Sequence, residues 1–274
     1  MKKRSTDTLV IVLLATLWLP VLANAAPFPD KNLEAAVRAG LNNTKADLTD
    51  DTLRNLFVLE APGKEIADLT GLEKCKNLAL LKLTKNQIAD LAPLKELTNL
   101  QSLDLAGNKI ADLAPLAGLT KLQYLELSNN QIANLAPLAG LVNLSALSLT
   151  GNKITDLGPL GTLGKLSSLY LGTNQIKDLG ALEKVTRLST LELSNNQVEN
   201  LAPLTRQTEV RLLLLQGNKI ADLSPLVTLA ETDAKGEKRL APYLRLYLAG
   251  NPLNDAAKTS QLEALKKAGV RIEN

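Results

Sequence analysis

The chain has 274 residues, a net charge of +3, no histidine and one cysteine, Cys75. The lack of histidine excludes imidazole base catalysis and histidine metal ligation, and a single cysteine excludes an intrachain disulfide and a multi-cysteine zinc site. The small net charge lacks the basic excess of nucleic-acid-binding proteins, so we expect no nucleic-acid partner. Because the sequence also holds no phosphate-binding glycine loop, we predict a protein that is not an enzyme and uses no cofactor or metal.

Residues 1–25 have the organisation of a secretory signal peptide. Positively charged "MKKR" precedes an apolar core of fifteen residues, Leu9 to Ala23, and "ANA" at Ala23 to Ala25 offers small residues for cleavage. The alternative is an uncleaved anchor, but the core is shorter than the roughly 20 residues of a membrane span, and Pro20 interrupts it. We therefore expect a cleaved signal and export to the periplasm, the cell envelope or the exterior, with no membrane span in the mature chain.

Residues 26–57 are predicted to form a helical N-terminal cap. Two segments, "FPDKNLEAAVRAGL" and "LTDDTLRNLF", place apolar residues at the spacing of short amphipathic helices. Thr49 is placed to cap the start of the second helix. We expect this segment to close the open end of a stacked core.

Residues 58–253 carry a strict internal repeat. One early unit has Lys64 at the marker position that asparagine occupies later, and the last marker, Asn251, follows its predecessor by 33 residues. This longer gap indicates an 11-residue insertion near residues 230–242. About nine units of one period predict a solenoid, in which a single unit is not stable alone. The asparagine of "LxLxxN" recurs every 22 residues, at Asn86, Asn108, Asn130, Asn152, Asn174, Asn196 and Asn218.

Two polar columns of the repeat are predicted to be structural. A buried asparagine offers donors and an acceptor to the backbone groups of a sharp bend, so we interpret the "LxLxxN" column as a ladder between coils. We interpret the second column as caps of short helical turns, with a calcium ladder as the alternative, because asparagine replaces aspartate freely in it. Cys75 falls in a leucine column and is predicted to be a core residue. The second column consists of Asp68, Asp90, Asp112, Asn134, Asp156, Asp178, Asn200 and Asp222.

Residues 254–274 are predicted to form a C-terminal cap around a helix in "SQLEALKKAGVRI". Ser260 and Glu263 have the spacing of a capping box, and Gly269 suits a helix stop. This cap is expected to cover the second open end of the core.

The repeated units follow the pattern L-x-x-L-x-L-x-x-N-x-I-x-D-L-x-P-L-x-x-L. This pattern resembles the bacterial leucine-rich repeat proteins, especially the internalin type with its short repeat. The resemblance implies an α/β solenoid, a right-handed coil with a parallel β-sheet on the concave face, short 3-10 turns on the convex face and helical caps at both ends. It also implies that the concave face binds another protein.

The alternation of each strand determines which residues reach the concave surface. In "LQSLDLAGN", Leu103 and Leu105 are predicted to point into the core, so Ser102 and Asp104 point outward. The acidic residues of this surface favour a partner with basic groups, and its aromatic residues are anchors common in interfaces. Applied to every unit, the alternation predicts a partner-binding surface of Asp104, Tyr124, Glu126, Tyr170, Glu192, Leu212, Leu214, Arg245 and Tyr247.

The pair Leu212 and Leu214 is unusual because other units carry polar residues such as Asp104 and Ser148 at the position of Leu214. Exposed leucines mark interfaces, whereas the alternatives are that Leu240 of the insertion folds over them or that they are unselected drift. We predict an exported, monomeric, non-enzymatic recognition module that binds a protein or peptide, with a glycan as an alternative ligand. The second hypothesis is a structural or scaffold envelope protein with no dedicated ligand.

Overall fold

The computed structural model describes residues 27–42, 47–236 and 238–273, so the predicted signal peptide, residues 1–25, lies outside the described residues. Within the described ranges, ten parallel strands form one sheet in strict chain order. Parallel neighbours in chain order require one full turn of chain between successive strands, which confirms the predicted solenoid. The strands are β1 Val58–Glu60, β2 Leu80–Lys82, β3 Ser102–Asp104, β4 Tyr124–Glu126, β5 Ala146–Ser148, β6 Ser168–Tyr170, β7 Thr190–Glu192, β8 Leu212–Leu214, β9 Arg245–Tyr247 and β10 Arg271–Glu273.

The strands follow the predicted alternation of buried and outward residues. In β3, Leu103 is completely buried while Ser102 and Asp104 are half-buried. Leu103 lies opposite Leu81 on one side and Leu125 on the other, so the inward leucines form a column through the stack. Each fully buried leucine contributes about 1.5–3 kcal/mol to the stability of the folded chain. Cys75 is also completely buried, as predicted, and burial raises the pKa of its thiol to about 12.

Short 3-10 turns form the convex side, and the polar column before them caps them as predicted. The Oδ1 atom of Asp90 accepts a hydrogen bond from the Ala92 amide at 2.8 Å, and Asn134 makes the same bond to Ala136 at 2.9 Å. Because the neutral amide replaces the carboxylate without changing the geometry, the bond does not depend on charge. The turns comprise Leu72–Lys74, Ala92–Leu94, Ala114–Leu116, Ala136–Leu138, Gly158–Thr162, Gly180–Lys184 and Ala202–Arg206.

The asparagine column is a ladder that joins successive coils, as predicted. Asn152 illustrates the geometry: its Oδ1 atom accepts from the Ile132 amide of the preceding coil at 3.0 Å. Its Nδ2 atom donates to the carbonyl oxygens of Leu127, at 3.0 Å, and Leu149, at 2.9 Å. One buried side chain therefore satisfies backbone groups on two coils.

Two helices close the N-terminal end, which confirms the predicted helical cap. They are α1, Lys31–Gly40, and α2, Asp50–Leu53, and the Thr49 hydroxyl accepts from the Thr52 amide at 3.3 Å as the predicted N-cap of α2. Asp30 caps α1 through Oδ1, while its Oδ2 accepts from the Ala67 amide of the first coil at 2.9 Å. Asp30 thus links the N-terminal cap to the first coil through hydrogen bonds.

The insertion forms a third helix on the convex side. Helix α3, Ser224–Lys235, takes the place of a 3-10 turn and packs against the turn Ala202–Arg206. The Asp233 carboxylate accepts from the amides of Arg239, Leu240 and Ala241, which holds the chain as it returns toward β9. Leu240 is completely buried in the core.

The C-terminal end is also closed by a helix, but its predicted capping box is wrong. The helical region begins earlier: Asn254 Oδ1 accepts from the Ala257 amide at 2.7 Å, and the π-helical segment Ala257–Gln261 leads into α4, Leu262–Ala268. Ser260 consequently lies inside the helical region, with its hydroxyl on the carbonyl oxygen of Ala256. Gly269 ends α4 with φ of 106°, as predicted. Among the residues that the structure describes, no helix is long and apolar enough to cross a membrane.

Candidate binding face

The outward positions of strands β2 to β9 form one continuous surface, which we call the concave face. Because neighbouring strands lie roughly 4.8 Å apart, side chains in the same register position are in reach of one another. One row of the register runs from Lys82 to Asp104, Glu126, Ser148, Tyr170, Glu192, Leu214 and Tyr247. The parallel row runs from Leu80 to Ser102, Tyr124, Ala146, Ser168, Thr190, Leu212 and Arg245.

Four of the predicted residues meet at the centre of this face; we call Asp104, Tyr124, Glu126 and Tyr170 the tyrosine cluster. The two tyrosines remain 41% and 37% exposed. Partial burial of Tyr124 raises the pKa of its hydroxyl, and the negative charges of Glu126 and Asp104, with a smaller contribution from Tyr170, raise it further. These interactions place Tyr124 with Tyr170 in one cluster, a grouping that the sequence alone left open.

The two carboxylates of the tyrosine cluster face each other, and Lys82 faces Asp104 from the strand on its other side, beyond ion-pair distance. Asp104 lies directly opposite Glu126 in the strand register. Each uses one oxygen as an acceptor for a backbone amide, Asp104 from Ala106 at 3.1 Å and Glu126 from Ser128 at 2.7 Å. Neither carboxylate is in an ion pair with any residue among those the structure describes. Like charges that face each other across neighbouring strands are destabilising.

Glu192 departs from the sequence prediction because its carboxylate is turned onto the sheet. The residue is only 9% exposed. One carboxylate oxygen accepts from the Gly172 amide at 2.7 Å, and the other accepts from the amide and the hydroxyl of Ser194. A side chain at position 172 would occupy this space, since a Cβ atom on Gly172 would lie 2.3 Å from the nearest carboxylate oxygen. The prediction that Glu192 adds an exposed negative charge to the concave face is therefore wrong.

The C-terminal part of the concave face has two leucines at its centre and an arginine held by polar contacts at its edge. Leu212 and Leu214 point outward and are half-buried. The insertion does not cover them in the way that one alternative requires, because α3 packs on the convex side and Leu240 is part of the core. Arg245 lies against Tyr247, donating to its hydroxyl at 2.5 Å, and reaches the Glu273 carboxylate at 3.4 Å.

A second polar surface, which was not predicted from the sequence, lies on the flank where the chain enters each strand. Lys121, Asn143, Lys165 and Arg187 recur there at the repeat spacing of 22 residues. The 22-residue recurrence of these polar residues indicates a surface row, but the predicted surface included only the strand positions. These side chains line an open groove of about 610 Å³.

The comparisons with known proteins agree with this architecture. A family model for leucine-rich repeats matches residues 98–140, 120–162, 142–184 and 164–206. The crystal structure of internalin C2 from Listeria monocytogenes is 35% identical, with 74% of this chain and 91% of that chain covered and a TM-score of 0.71. The functional domain of InlJ from the same organism is 25% identical, with 85% and 54% covered and a TM-score of 0.63.

More distant proteins share the fold alone. The leucine-rich repeat ectodomain of the plant membrane receptor kinase GASSHO1/SCHENGEN3 from Arabidopsis thaliana, in complex with CASPARIAN STRIP INTEGRITY FACTOR 2, is 24% identical. That match covers 81% of this chain and 27% of the receptor, with a TM-score of 0.65. No curated protein sequence gives a significant match. The repeat pattern, the ten-stranded parallel sheet and the likeness to internalin C2 lead to one conclusion: the chain belongs to the internalin-like leucine-rich repeat proteins of bacteria.

Proposed function

We propose that the chain is an exported, non-enzymatic recognition module whose concave face binds a protein or peptide partner that carries basic groups. The observation that carries this proposal is the tyrosine cluster: two exposed aromatic rings on the same part of the face as two facing carboxylates, neither of which is in an ion pair among the described residues. Leucine-rich repeat proteins commonly bind proteins or peptides, and the plant receptor of this fold was solved in complex with its factor.

The chemistry of the tyrosine cluster favours a lysine or arginine side chain of the partner. A basic group between Asp104 and Glu126 relieves the repulsion between the two carboxylates. The faces of Tyr124 and Tyr170 offer cation–π contacts to the same group and apolar contact to its aliphatic stem. Both effects act together at Tyr124, which shares β4 with Glu126 and lies diagonally across from Asp104, whereas Tyr170 extends the aromatic surface two strands further on.

Leu212 and Leu214 extend this surface toward the C-terminal end. Half-buried apolar side chains on an otherwise polar sheet face lose little entropy on binding and gain from further burial. We propose that they contact an apolar part of the same partner, beyond its basic group. Arg245 and Tyr247 then mark the end of the contact, since Arg245 is already engaged by Glu273.

A selection of random linear peptides displayed on phage tests the proposal directly. Selected peptides are expected to carry lysine or arginine, and calorimetry on synthetic copies gives the dissociation constant. The double variant Tyr124→Ser/Tyr170→Ser is expected to weaken binding at least about tenfold, because truncated aromatic anchors typically cost more than 1 kcal/mol each. Asp104→Asn/Glu126→Gln tests the carboxylates separately and is expected to weaken binding of the basic peptides.

Tyr243→Ser is the matched control, because Tyr243 is 57% exposed but lies before β9 rather than at an outward strand position. It is expected to leave the affinity unchanged, and thermal melts establish that each variant is folded. Peptides that bind the tyrosine double variant as tightly as the unmutated chain contradict the proposed site. A selection that yields no saturable ligand favours the alternative of a scaffold protein without a dedicated partner.

Export is the second part of the proposal and is tested independently of binding. The charged start, apolar core and small residues of positions 1–25 support it. Expression of the full sequence in a bacterial host, followed by mass spectrometry of the exported chain, is expected to show cleavage after Ala25. Retention of the whole chain in the cytoplasm or the membrane fraction contradicts export as a cleaved protein.

A further inference from the structure

The flank groove is a second polar surface, separate from the concave face. Three cations line it, Lys121, Lys165 and Arg187, together with amide and hydroxyl side chains such as Gln123, Asn143 and Ser145. Lys121, Lys165 and Arg187 are all exposed. They belong to the same column of the repeat, with coils roughly 4.8 Å apart, so the row from Lys121 to Arg187 extends over about 14 Å.

Two of the cations are held in place by the coil before them. The Lys121 ammonium donates to Asn99 Oδ1 at 2.7 Å, and the Lys165 ammonium donates to Asn143 Oδ1 at 2.6 Å. Asn143 is itself anchored, because its Nδ2 atom donates to the Thr120 carbonyl oxygen at 2.8 Å. Part of the side-chain entropy that a long lysine loses on binding is therefore already lost in the free protein.

The positive charge is unbalanced within the groove lining, and Glu209, the next residue of the column beyond Arg187, is paired with Arg239. The groove lining contains no carboxylate, and none of the three cations is in an ion pair within the described ranges of the chain. Lys165 and Arg187 lie on neighbouring coils and repel each other, with Lys121 two coils before Lys165, and an anionic ligand removes this repulsion. Because the cations form a row, the ligand that matches them is extended and carries several negative charges.

We propose that the flank groove binds an acidic polysaccharide, a linear glycan with carboxylate or sulfate groups. The cations engage the anionic groups, and Gln123, Asn143 and Ser145 offer donors and acceptors to the sugar hydroxyls. A single-stranded nucleic acid fits less well, because such ligands are held by stacking on aromatic side chains and the groove lining has none. A protein partner fits less well for the same reason, since its interface needs apolar or aromatic anchors.

The test measures binding of fluorescently labelled oligosaccharides by anisotropy at low salt. A heparin dodecasaccharide and an oligogalacturonate of matched length distinguish sulfate from carboxylate, and an uncharged dextran oligomer serves as the negative ligand. The groove variant Lys121→Ser/Lys165→Ser/Arg187→Ser is expected to lose at least about tenfold in affinity for the better acidic ligand. The charge-matched control Lys153→Ser/Lys177→Ser/Lys219→Ser removes three exposed lysines outside the groove and is expected to bind within about twofold of the unmutated chain.

A second variant separates placement from charge. Asn99→Ala keeps the net charge and leaves the groove lining intact but releases Lys121, so it is expected to weaken binding by about twofold, a loss that charge counting does not predict. Thermal melts of the triple groove variant are expected to stay unchanged, because the three cations are exposed, whereas Asn99→Ala loses a hydrogen bond to the Lys76 carbonyl oxygen and needs its own melt. If the triple groove variant does not fold, Lys121→Gln/Lys165→Gln replaces it in the same comparison.

Three outcomes overturn the proposal. Equal weakening of the groove variant and the charge-matched control shows attraction by net charge alone. Tighter binding of a single-stranded DNA oligomer than of either acidic oligosaccharide shows a nucleic-acid site instead. Absence of saturable binding to both acidic oligosaccharides shows that the groove is not a polysaccharide site. None of these results bears on the concave face, so the two proposals fail independently.

Discussion

The asparagine ladder makes a quantitative prediction that depends on how its hydrogen bonds are shared. Each interior ladder carbonyl accepts from two asparagines: Leu127 from Asn130 and Asn152, and Leu149 from Asn152 and Asn174. Substitution Asn152→Ala therefore leaves both carbonyl oxygens with one donor. The Ile132 amide, in contrast, loses the Oδ1 acceptor that lies 3.0 Å away.

The expected cost of Asn152→Ala follows from this one orphaned donor. A buried donor without an acceptor costs about 1–3 kcal/mol of stability. The two carbonyl oxygens each keep one donor, so their contribution to the loss is small and the total stays within this range. We expect the free energy of unfolding to fall by about 1–3 kcal/mol. Urea unfolding followed by circular dichroism measures the change, with Gln175→Ala as the control, since Gln175 is exposed and its loss is expected to change stability by less than about 0.5 kcal/mol.

A double-mutant cycle distinguishes shared from independent rungs. Asn152→Ala with Asn174→Ala removes both amide donors of the Leu149 carbonyl, so the combined loss is expected to exceed the sum of the single losses. Asn108→Ala with Asn174→Ala affects carbonyls that have no donor in common and is expected to be additive. Equal coupling in both pairs, or an unchanged melt for Asn152→Ala, refutes the sharing scheme.

Three further predictions concern single side chains whose surroundings are unusual. Gln207 is buried beside a small apolar cavity; its Nε2 atom donates to the Leu182 carbonyl oxygen at 2.8 Å, and its Oε1 atom has no partner among the described residues. Gln207→Leu is therefore expected to raise the free energy of unfolding by about 1 kcal/mol in urea titrations. A lower free energy of unfolding contradicts this expectation. Gly172→Ala is expected to displace Glu192 and lower stability by about 1–3 kcal/mol in the same assay, whereas Gly164→Ala, with open space around its Cβ, is the control and is expected to change little. For Asp30, burial works to raise the pKa, but the hydrogen bonds from the amides of Ala67, Leu33, Asp68 and Asn32 outweigh it and lower the pKa. Its carboxylate therefore stabilises the folded state above the unfolded pKa of about 4, and the stability gap to Asp30→Asn is expected to shrink as pH falls through the folded pKa; a gap independent of pH contradicts this.

The fold could be predicted from the sequence because the repeat sets most of its geometry. A constant period of 22 residues places every leucine, asparagine and capping residue in a column before any coordinate is known. Local signals also sufficed where one residue acts on its neighbours, as for Thr49 at the start of α2 and Gly269 at the end of α4. These features depend on short-range spacing, which the sequence displays directly.

The sequence predictions were wrong where a residue interacts with a neighbouring coil, or where another residue caps the same helix earlier. Glu192 has an outward position in its own strand, but the missing side chain of Gly172, one coil earlier, lets its carboxylate turn onto the sheet. Ser260 had a valid capping spacing, but Asn254 caps the helical region earlier and the helix continues through Ser260. In both places the deciding partner lies outside the local pattern.

The outward strand positions carry no general structural requirement, and this makes the tyrosine cluster and the two leucines informative. Inward leucines supply the core, the asparagine ladder satisfies the bends, and the polar column caps the turns, so these three sets of residues account for the fold without using the concave face. Asp104 and Ser148 hold the position of Leu214 in other coils, and Ser102 and Ser168 hold that of Leu212, so the solenoid accepts polar residues where β8 presents its two leucines. Exposed rings and leucines lower solubility without stabilising such a fold. Their presence at positions that the fold leaves unconstrained supports the proposed contact with a partner, and Glu192 is the exception in which an outward residue has become part of the structure.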